Sequence, residues 1–253
     1  MQLFVALISW QGQTDAVQRI AKVVHPHADD LVVIYSNAAE TPEIGPGNWH
    51  QMPNSAFFGA KFRAALDLYS GGVFLLIHAD TDFADWPGLL ARCRNLFRDH
   101  PGLGLWSPDF DQTHWTNARV LFGPGPGPDL LLVAQTDGIV LGLAPRVVER
   151  LRRLDYSANT LGWGIDWAAS AYCHSHNLMV CRDTRMVVTH STSRGYGFFT
   201  AFDQGTAFLG QLTILERHHL SLLQAHVHAR IAREHPVPRR ILAAIARRLG
   251  LRR

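Results

Sequence analysis

The sequence predicts an α/β protein: an open, mostly parallel twisted sheet with helices on both faces, followed by a C-terminal helical extension. Three observations carry this. Apolar strand-like runs alternate with stretches of helical period through the first 140 residues. The run Val73–Ala79 is apolar almost throughout, as a strand covered on both faces must be. Repeated strand–helix–strand units in one sheet require parallel strands joined by crossing helices. With 253 residues, 47% of them hydrophobic, the chain can bury a large core. A net charge of only +3 at that apolar content excludes disorder as its main state.

Each element has its own signal. Leu3–Ser9 reads as a strand. Thr14–Val24 reads as a helix, with Val17, Ile20, Ala21 and Val24 on one face. Leu31–Ser36 is a second strand, and Phe58–Tyr69 a helix carrying Phe58, Phe62, Ala65, Leu66 and Tyr69 at spacings of three and four. Val73–Ala79 is the third strand, Pro87–Phe97 a helix, and Leu103–Ser107 the fourth strand. The run Gly123–Pro128 alternates glycine with proline, which excludes helix and inner strand. Beyond it, Leu130–Gly142 is strand-like and Arg146–Leu154 a short helix. Asn159–His174 is a glycine-rich turn leading into a helix. Leu178–Val180 and Met186–His190 are short strands, Thr192–Gly197 a turn, and Thr206–Glu234 continuously helical. This divides the chain into a ligand-binding domain, 1–205, and a helical extension, 206–253.

Charge is unevenly placed. Arg230–Arg253 holds eight arginines against one acid, Glu234, while the rest has sixteen basic and twenty acidic residues. An acidic body argues against a nucleic-acid groove, and no aromatic residues interleave with the arginines. Residues 239–253 place Ile241, Leu242, Ile245 and Leu249 in one stripe beside arginines. Such a segment suits a solvated helix face or an anionic membrane surface. Three cysteines without CxxC spacing, Cys93, Cys173 and Cys181, point to a reducing compartment. No apolar run is long enough to cross a bilayer, and residues 1–9 read as a strand and not as a leader. The expected location is cytoplasmic, with the inner membrane face as a peripheral site.

The sharpest local signal is Ile77-His78-Ala79-Asp80-Thr81-Asp82, where an apolar strand runs straight into two carboxylates. In open α/β sheets ligands sit beyond the carboxyl ends of the strands. Paired acids there suit an oxygen-preferring cation such as Mn2+ or Mg2+; an isolated pair also serves as a helix cap or turn. A second element is Gly162-Trp163-Gly164-Ile165-Asp166. Its glycines let backbone approach a ligand, Trp163 can stack on a sugar face, and Asp166 can accept a hydroxyl proton. A third is Met186–His190, an apolar strand that ends in a histidine.

In that order these elements resemble the GT-A fold glycosyltransferases, close in layout to the large inverting group called family 2. The resemblance spans roughly Leu3 to Gly197. It implies transfer of a sugar from a nucleotide-diphosphate donor to a saccharide or lipid-linked acceptor hydroxyl. It assigns nucleotide contacts to Ser9 and Trp10 after the first strand, to Asn37 after the second, and to Lys61. Asp80 is expected at the donor sugar or ribose and near the metal, and Asp82 and His190 are the metal ligands proper. Asp166 is the base, Trp163 an acceptor contact, and Arg194 closes over the diphosphate. Two positions depart from the family pattern: Asn37 stands where an acid is usual, and Ile165 replaces the first acid of an acidic pair. These departures keep open a catalytically inactive binding protein of the same fold. Fourteen histidines raise a metal-dependent hydrolase as the other alternative, although the HxH pairs His174–His176 and His226–His228 fall in helical stretches, where such residues diverge. Asp137, in Gln135-Thr136-Asp137-Gly138, is the second candidate base.

Overall fold

The computed structural model describes residues 1–36, 45–190 and 196–234. Strands β1 (Leu3–Ile8), β2 (Asp30–Ser36) and β4 (Val73–His78) form its parallel centre, with β1 hydrogen-bonded between the other two. Every residue of β1 and β4 is buried, so the continuous apolar runs reflect cover on both faces. Strand β3 (Asn48–Met52) adds a parallel edge beside β2. The other strands are β5 (Thr81–Asp82), β6 (Leu103–Phe110), β7 (Leu121–Pro124), β8 (Leu130–Val133), β9 (Val140–Leu143) and β10 (Met179–His190). Among the described residues they make one ten-stranded sheet in the order β3-β2-β1-β4-β9-β6-β10-β8-β7, with β5 paired to β10. Strands β3, β2, β1, β4, β6, β10 and β7 run one way, and β9, β8 and β5 run against them.

Helices cover both faces. On one lie α1 (Thr14–Val24) and α3 (Trp86–Asp99), in contact with each other. On the other lie α2 (Phe58–Leu68), α5 (Pro145–Arg152) and α6 (Ile165–Ser175). Helix α1 buries the stripe its spacing predicts: Val17, Ile20, Ala21 and Val24. Helix α3 starts where the Asp85 side chain accepts the Gly88 N–H at 2.9 Å, with Pro87 in its first turn. A short helix, α4 (Asn117–Val120), follows β6. The chain ends in α7 (Phe198–Leu209) and α8 (Ile214–Glu234), which lie outside α6.

The architecture agrees with the sequence expectation, with differences in detail. Leu130–Gly142 is two strands, because Ala134–Ile139 leaves the sheet and crosses toward α6. The two short strands expected over 178–190 are one, β10, with a register shift against β6 between Asp183 and Val187. The single helix expected from 206 is α7 and α8, broken at Gly210–Thr213. The division expected at residue 205 therefore falls inside α7. Asn37, Arg194 and the basic segment 239–253 lie outside the described residues.

Helix α8 begins with a reciprocal cap. The Thr213 N–H donates to Glu216 at 2.7 Å, and the Glu216 N–H donates to the Thr213 hydroxyl at 3.3 Å. Glu216, 1% exposed, also receives both arms of Arg150 on α5, at 2.7 and 2.8 Å. Burial acts to raise the Glu216 carboxyl, but the hydrogen bonds from Arg150 and Thr213 outweigh it and hold the carboxyl below its ordinary value. Its stabilising effect is present above the ordinary glutamate range and fades as pH falls through the lowered value. Glu216→Ala strands Arg150 and removes the cap, with an expected loss of about 3 kcal/mol in urea unfolding. The exposed pair Arg98–Asp99 is the control, and Arg98→Ala is expected to leave the urea midpoint unchanged.

Candidate active site

Strands β1, β2, β4, β6 and β10 all end along one edge of the sheet, at Ile8, Ser36, His78, Phe110 and His190. That common edge assembles the candidate residues. Under the ends of β1 and β2, α2 inserts Lys61, which is fully buried. Its ammonium donates to the Ser9 carbonyl at 2.5 Å and the Ser36 hydroxyl at 2.6 Å, and lies 5.6 Å from the centre of the Trp10 ring. Among the described residues no carboxylate neutralises it there, and burial lowers it to about 8. Lys61 thus ties two strand ends and the Trp10 ring together from below. Ser9 is buried, and its hydroxyl reaches only the Trp10 carbonyl, at 3.4 Å.

After β4 the chain turns sharply. The Thr81 hydroxyl donates to the His78 carbonyl at 2.6 Å, and the Ala79 N–H to the Ile8 carbonyl at 2.9 Å. Strand β5 then pairs antiparallel with the end of β10, Thr81 opposite His190 and Asp82 opposite Thr189. This register sets His190 against Asp80, with Nε2 to Oδ2 at 3.4 Å. Sequence reasoning gave the metal first to Asp82 with His190; the structure pairs His190 with Asp80 and leaves Asp82 exposed. Among the described residues the buried Asp80 Oδ1 has no hydrogen-bond partner. Burial acts to raise the Asp80 carboxyl, but the hydrogen bond from His190 acts the other way and the carboxyl is held below its usual value. Asp111, just past β6, accepts the His190 N–H at 3.3 Å.

His78 closes β4 two residues before Asp80. Its ring is enclosed between Trp10 and Phe58, at 5.0 and 4.6 Å, and Nε2 has no partner. Burial pushes His78 down to about 4, against the pull of Asp80, so the ring is neutral. The sequence motif contained His78, but as the last residue of an apolar run it carried no signal of its own.

Along the same edge lie the loop between β8 and β9, which accepts the His78 N–H at the Ile139 carbonyl, and the start of α6. Gly164, at φ +86°, turns the chain into α6 and puts Asp166 in the first turn. The buried Gln135 amide donates to Asp166 Oδ2 at 2.5 Å, and the Trp167 N–H donates to Oδ1 at 2.8 Å. Part of the Asp166 side chain remains at the surface. Burial, with the charge of neighbouring Asp137, nevertheless raises the carboxyl to about 7 against those two hydrogen bonds. Asp137 is itself raised by burial, while the Thr113 hydroxyl and the charges of Arg182 and His190 act downward on it. Through Asp137 the two parts of the edge share one electrostatic field. Arg182, fully buried on β10, donates to the Trp115 carbonyl and to Asn117 at 3.3 Å, which anchors the segment after β6.

The glycine-rich turn is held by close packing. A Cβ on Gly59 would sit 1.8 Å from the Asn159 carbonyl oxygen, so only glycine lets α2 meet this turn. Trp163 donates its indole N–H to the Tyr196 hydroxyl at 3.0 Å, and its ring meets Phe198 at 5.4 Å. It stands at the rim of the site, packed against residues at the start of α7.

No protein-family model matches the chain, and no curated protein matches it. Solved structures do. GalNAc-T7, solved with UDP, GalNAc and Mn2+, superposes with a TM-score of 0.66 at 10% identity, over 94% of this chain and 59% of that one. A mannosyltransferase from Pyrobaculum calidifontis, solved with GDP-Man and Mn2+, gives a TM-score of 0.57 at 14% identity, over 99% and 81%. The fold is GT-A. A UDP-glucose pyrophosphorylase complexed with UDP-glucose is also similar, at TM-score 0.51 and 9% identity, over 83% and 100%. Within the GT-A frame, Asp80, His190, Asp137 and Asp166 line the carboxyl edge of the sheet. Among the described residues no three of His, Cys, Asp and Glu converge closely enough to hold a metal by themselves. What the frame offers is a carboxylate–imidazole pair with one orphaned buried oxygen, a donor set suited to a divalent cation that takes its remaining ligands from elsewhere.

Asp166 binds its proton more tightly in the folded than in the unfolded chain. Its ionisation therefore costs stability progressively from about pH 4 to about 7, and fully above that. Asp166→Asn is expected to raise Tm by a few degrees at pH 8, with the gain shrinking toward zero near pH 4. Thermal melts across that range check it.

Proposed function

We propose that this chain is a divalent-metal-dependent glycosyltransferase that moves a sugar from a nucleotide-diphosphate donor to an acceptor hydroxyl with inversion. The observation that carries the reading is Asp166, a carboxyl raised to about 7, at the same carboxyl edge of the sheet as the Asp80–His190 pair and linked to it electrostatically through Asp137. A carboxylate of that basicity suits removal of a hydroxyl proton near neutral pH. The Mn2+-containing structures of similar fold support a cation at Asp80 and His190, and their GDP- and UDP-linked ligands define the donors to screen first.

The cation that Asp80 and His190 would hold supplies positive charge to the departing diphosphate. The rest falls to the chain. Lys61 keeps the ends of β1 and β2 and the Trp10 ring in place beneath the nucleoside. Gln135 and the Trp167 N–H orient the Asp166 carboxylate while leaving lone pairs free on both oxygens. Asp137 keeps that carboxylate basic. The acceptor oxygen bonds to the anomeric carbon as the carbon–phosphate-oxygen bond breaks on the opposite face. The hydroxyl proton passes to Asp166. One displacement inverts the centre.

The pyrophosphorylase likeness favours a second reading, nucleotidyl transfer. That chemistry calls for cationic residues facing an incoming triphosphate in the turn after β1, and Trp10-Gln11-Gly12-Gln13 has none.

Thermal shift with GDP-mannose and UDP-sugars, with and without Mn2+, tests the donor site. Wild type should be stabilised by one of them only with metal, and Asp80→Ala should lose that shift. Asp166→Asn should keep the shift while turnover falls about 10²–10⁴-fold. Retained turnover would move the base to Asp137, and release of pyrophosphate would replace the transferase reading with the second one.

A further inference from the structure

Helix α7 carries an aromatic surface that the fold does not use. Its inner side is Ala201, Gly205 and Phe208, all buried. On its outer side Phe198, Phe199 and Phe202 are 55%, 80% and 54% exposed. The three rings form one patch: Phe198 meets Phe199 edge-on at 5.7 Å and stacks on Phe202 at 6.1 Å. A single exposed phenylalanine is ordinary, but three in contact mark a surface that meets something apolar. The patch begins beside Trp163, so it stands at the rim of the candidate site.

The course of the chain indicates what it meets. Helix α8 returns to the same edge of the molecule. Its last residue, Glu234, pairs at 2.7 Å with Arg119 on α4, the helix that follows the carboxyl end of β6. From there the sequence continues through residues 235–253, which hold six arginines, no acid, and the apolar residues Ile241, Leu242, Ile245 and Leu249. The exposed Asp203 beside Phe202 gives the patch itself no attraction for anions, so any electrostatic attraction must come from that terminal segment. Aromatic rings that take up the acyl boundary, in a chain whose terminal sequence is cationic and suits anionic headgroups, match one partner chemically: an anionic lipid bilayer.

We infer that the Phe198–Phe202 face of α7 docks this protein on an anionic lipid surface. Residues 235–253 supply the charge, and the carboxyl-edge site opens at headgroup level. The inference stands apart from the transfer reaction, because it concerns a surface and not the donor site.

The test is co-sedimentation of the full-length chain with vesicles of phosphatidylcholine alone, and with about a quarter phosphatidylglycerol. Wild type should sediment with the anionic vesicles only, and salt at about 0.5 M should release it. The double variant Phe199→Ser, Phe202→Ser leaves Phe198 on Trp163 and removes only exposed rings. It should bind at least about fivefold less while keeping the wild-type Tm. A second full-length variant, with Arg239, Arg240, Arg247 and Arg248 changed to Gln, should lose the preference for anionic over neutral vesicles. Three results would overturn the inference: wild-type sedimentation by the double variant, no sedimentation of the wild type, or a wild-type dimer in light scattering that the double variant dissolves, which would make the patch a self-interface. Nucleotide-sugar thermal shifts on the same samples report the donor site separately.

Discussion

The candidate site depends on a two-residue strand. Thr81 and Asp82 pair with the last residues of β10, and this contact alone brings the turn after β4 to His190. Strand β10 reaches β5 beyond a register shift against β6 between Asp183 and Val187, after which the two strands pair again at Val187–Asp109 and Val188–Phe110. Asp183 is pinned at the start of that irregularity by Arg92 at 2.8 Å and the Trp106 indole at 3.3 Å. A bulge of this kind re-aims the side chains beyond it. In β10 the re-aimed end carries the His190 imidazole to Asp80.

Around that contact the protein holds an unusual amount of buried charge. Lys61 and Arg182 are fully buried cations, and Asp137 and Asp166 are carboxyls raised by burial. None of these is the cheapest way to fill a core. Arg150–Glu216 and Arg92–Asp183 are structural pairs in which each partner satisfies the other. The carboxyl-edge groups are different. Among the described residues Lys61 has no carboxylate, the Arg182 Nε and Nη2 have no partner, and the Asp80 Oδ1 and His78 Nε2 have none either. Most of the unsatisfied buried atoms among the described residues lie toward this edge, with Arg94 Nε near the start of β2 as an exception, and perturbed, incompletely paired groups are more frequent at ligand sites than in cores.

The central strands were legible because burial on both faces leaves an unbroken apolar run, and the helices of the first half because their stripes are regular. Strand β3 was not, since Asn48-Trp49-His50-Gln51-Met52 is a half-exposed edge with a polar composition. The break between α7 and α8 is written in Thr213-Ile214-Leu215-Glu216, a capping pattern that the helical periodicity on either side obscured. Within the site, Asp166 and His190 stood out by position. The partition between Asp80 and Asp82 did not, because it depends on where β4 stops. Side chains alternate along extended chain, so the choice is made by the Thr81–His78 turn and the β5 register, both of which are tertiary. Gln135 and His78 had no signal: each matters through a partner far away in sequence.

GT-A architecture by itself leaves the chemistry open, since a pyrophosphorylase, a mannosyltransferase and GalNAc-T7 are all similar in fold to this chain. What narrows it is the division of charge along the edge. One part gathers Asp80, His190 and Asp111, groups that suit a cation and through it a diphosphate. The other holds Asp166 between an amide donor and a second carboxyl, groups that set a base and keep it basic. Hydrolysis and glycosyl transfer both need a base opposite a leaving group, and they differ in whether water or another hydroxyl reaches it. Here Asp166 opens α6 directly after Gly162-Trp163-Gly164, and Trp163 is pinned to Tyr196 at the rim beside α7. If Asp166 is the base, as proposed, an aromatic rim beside it suits an acceptor that carries an apolar face, as a sugar ring does, better than free water.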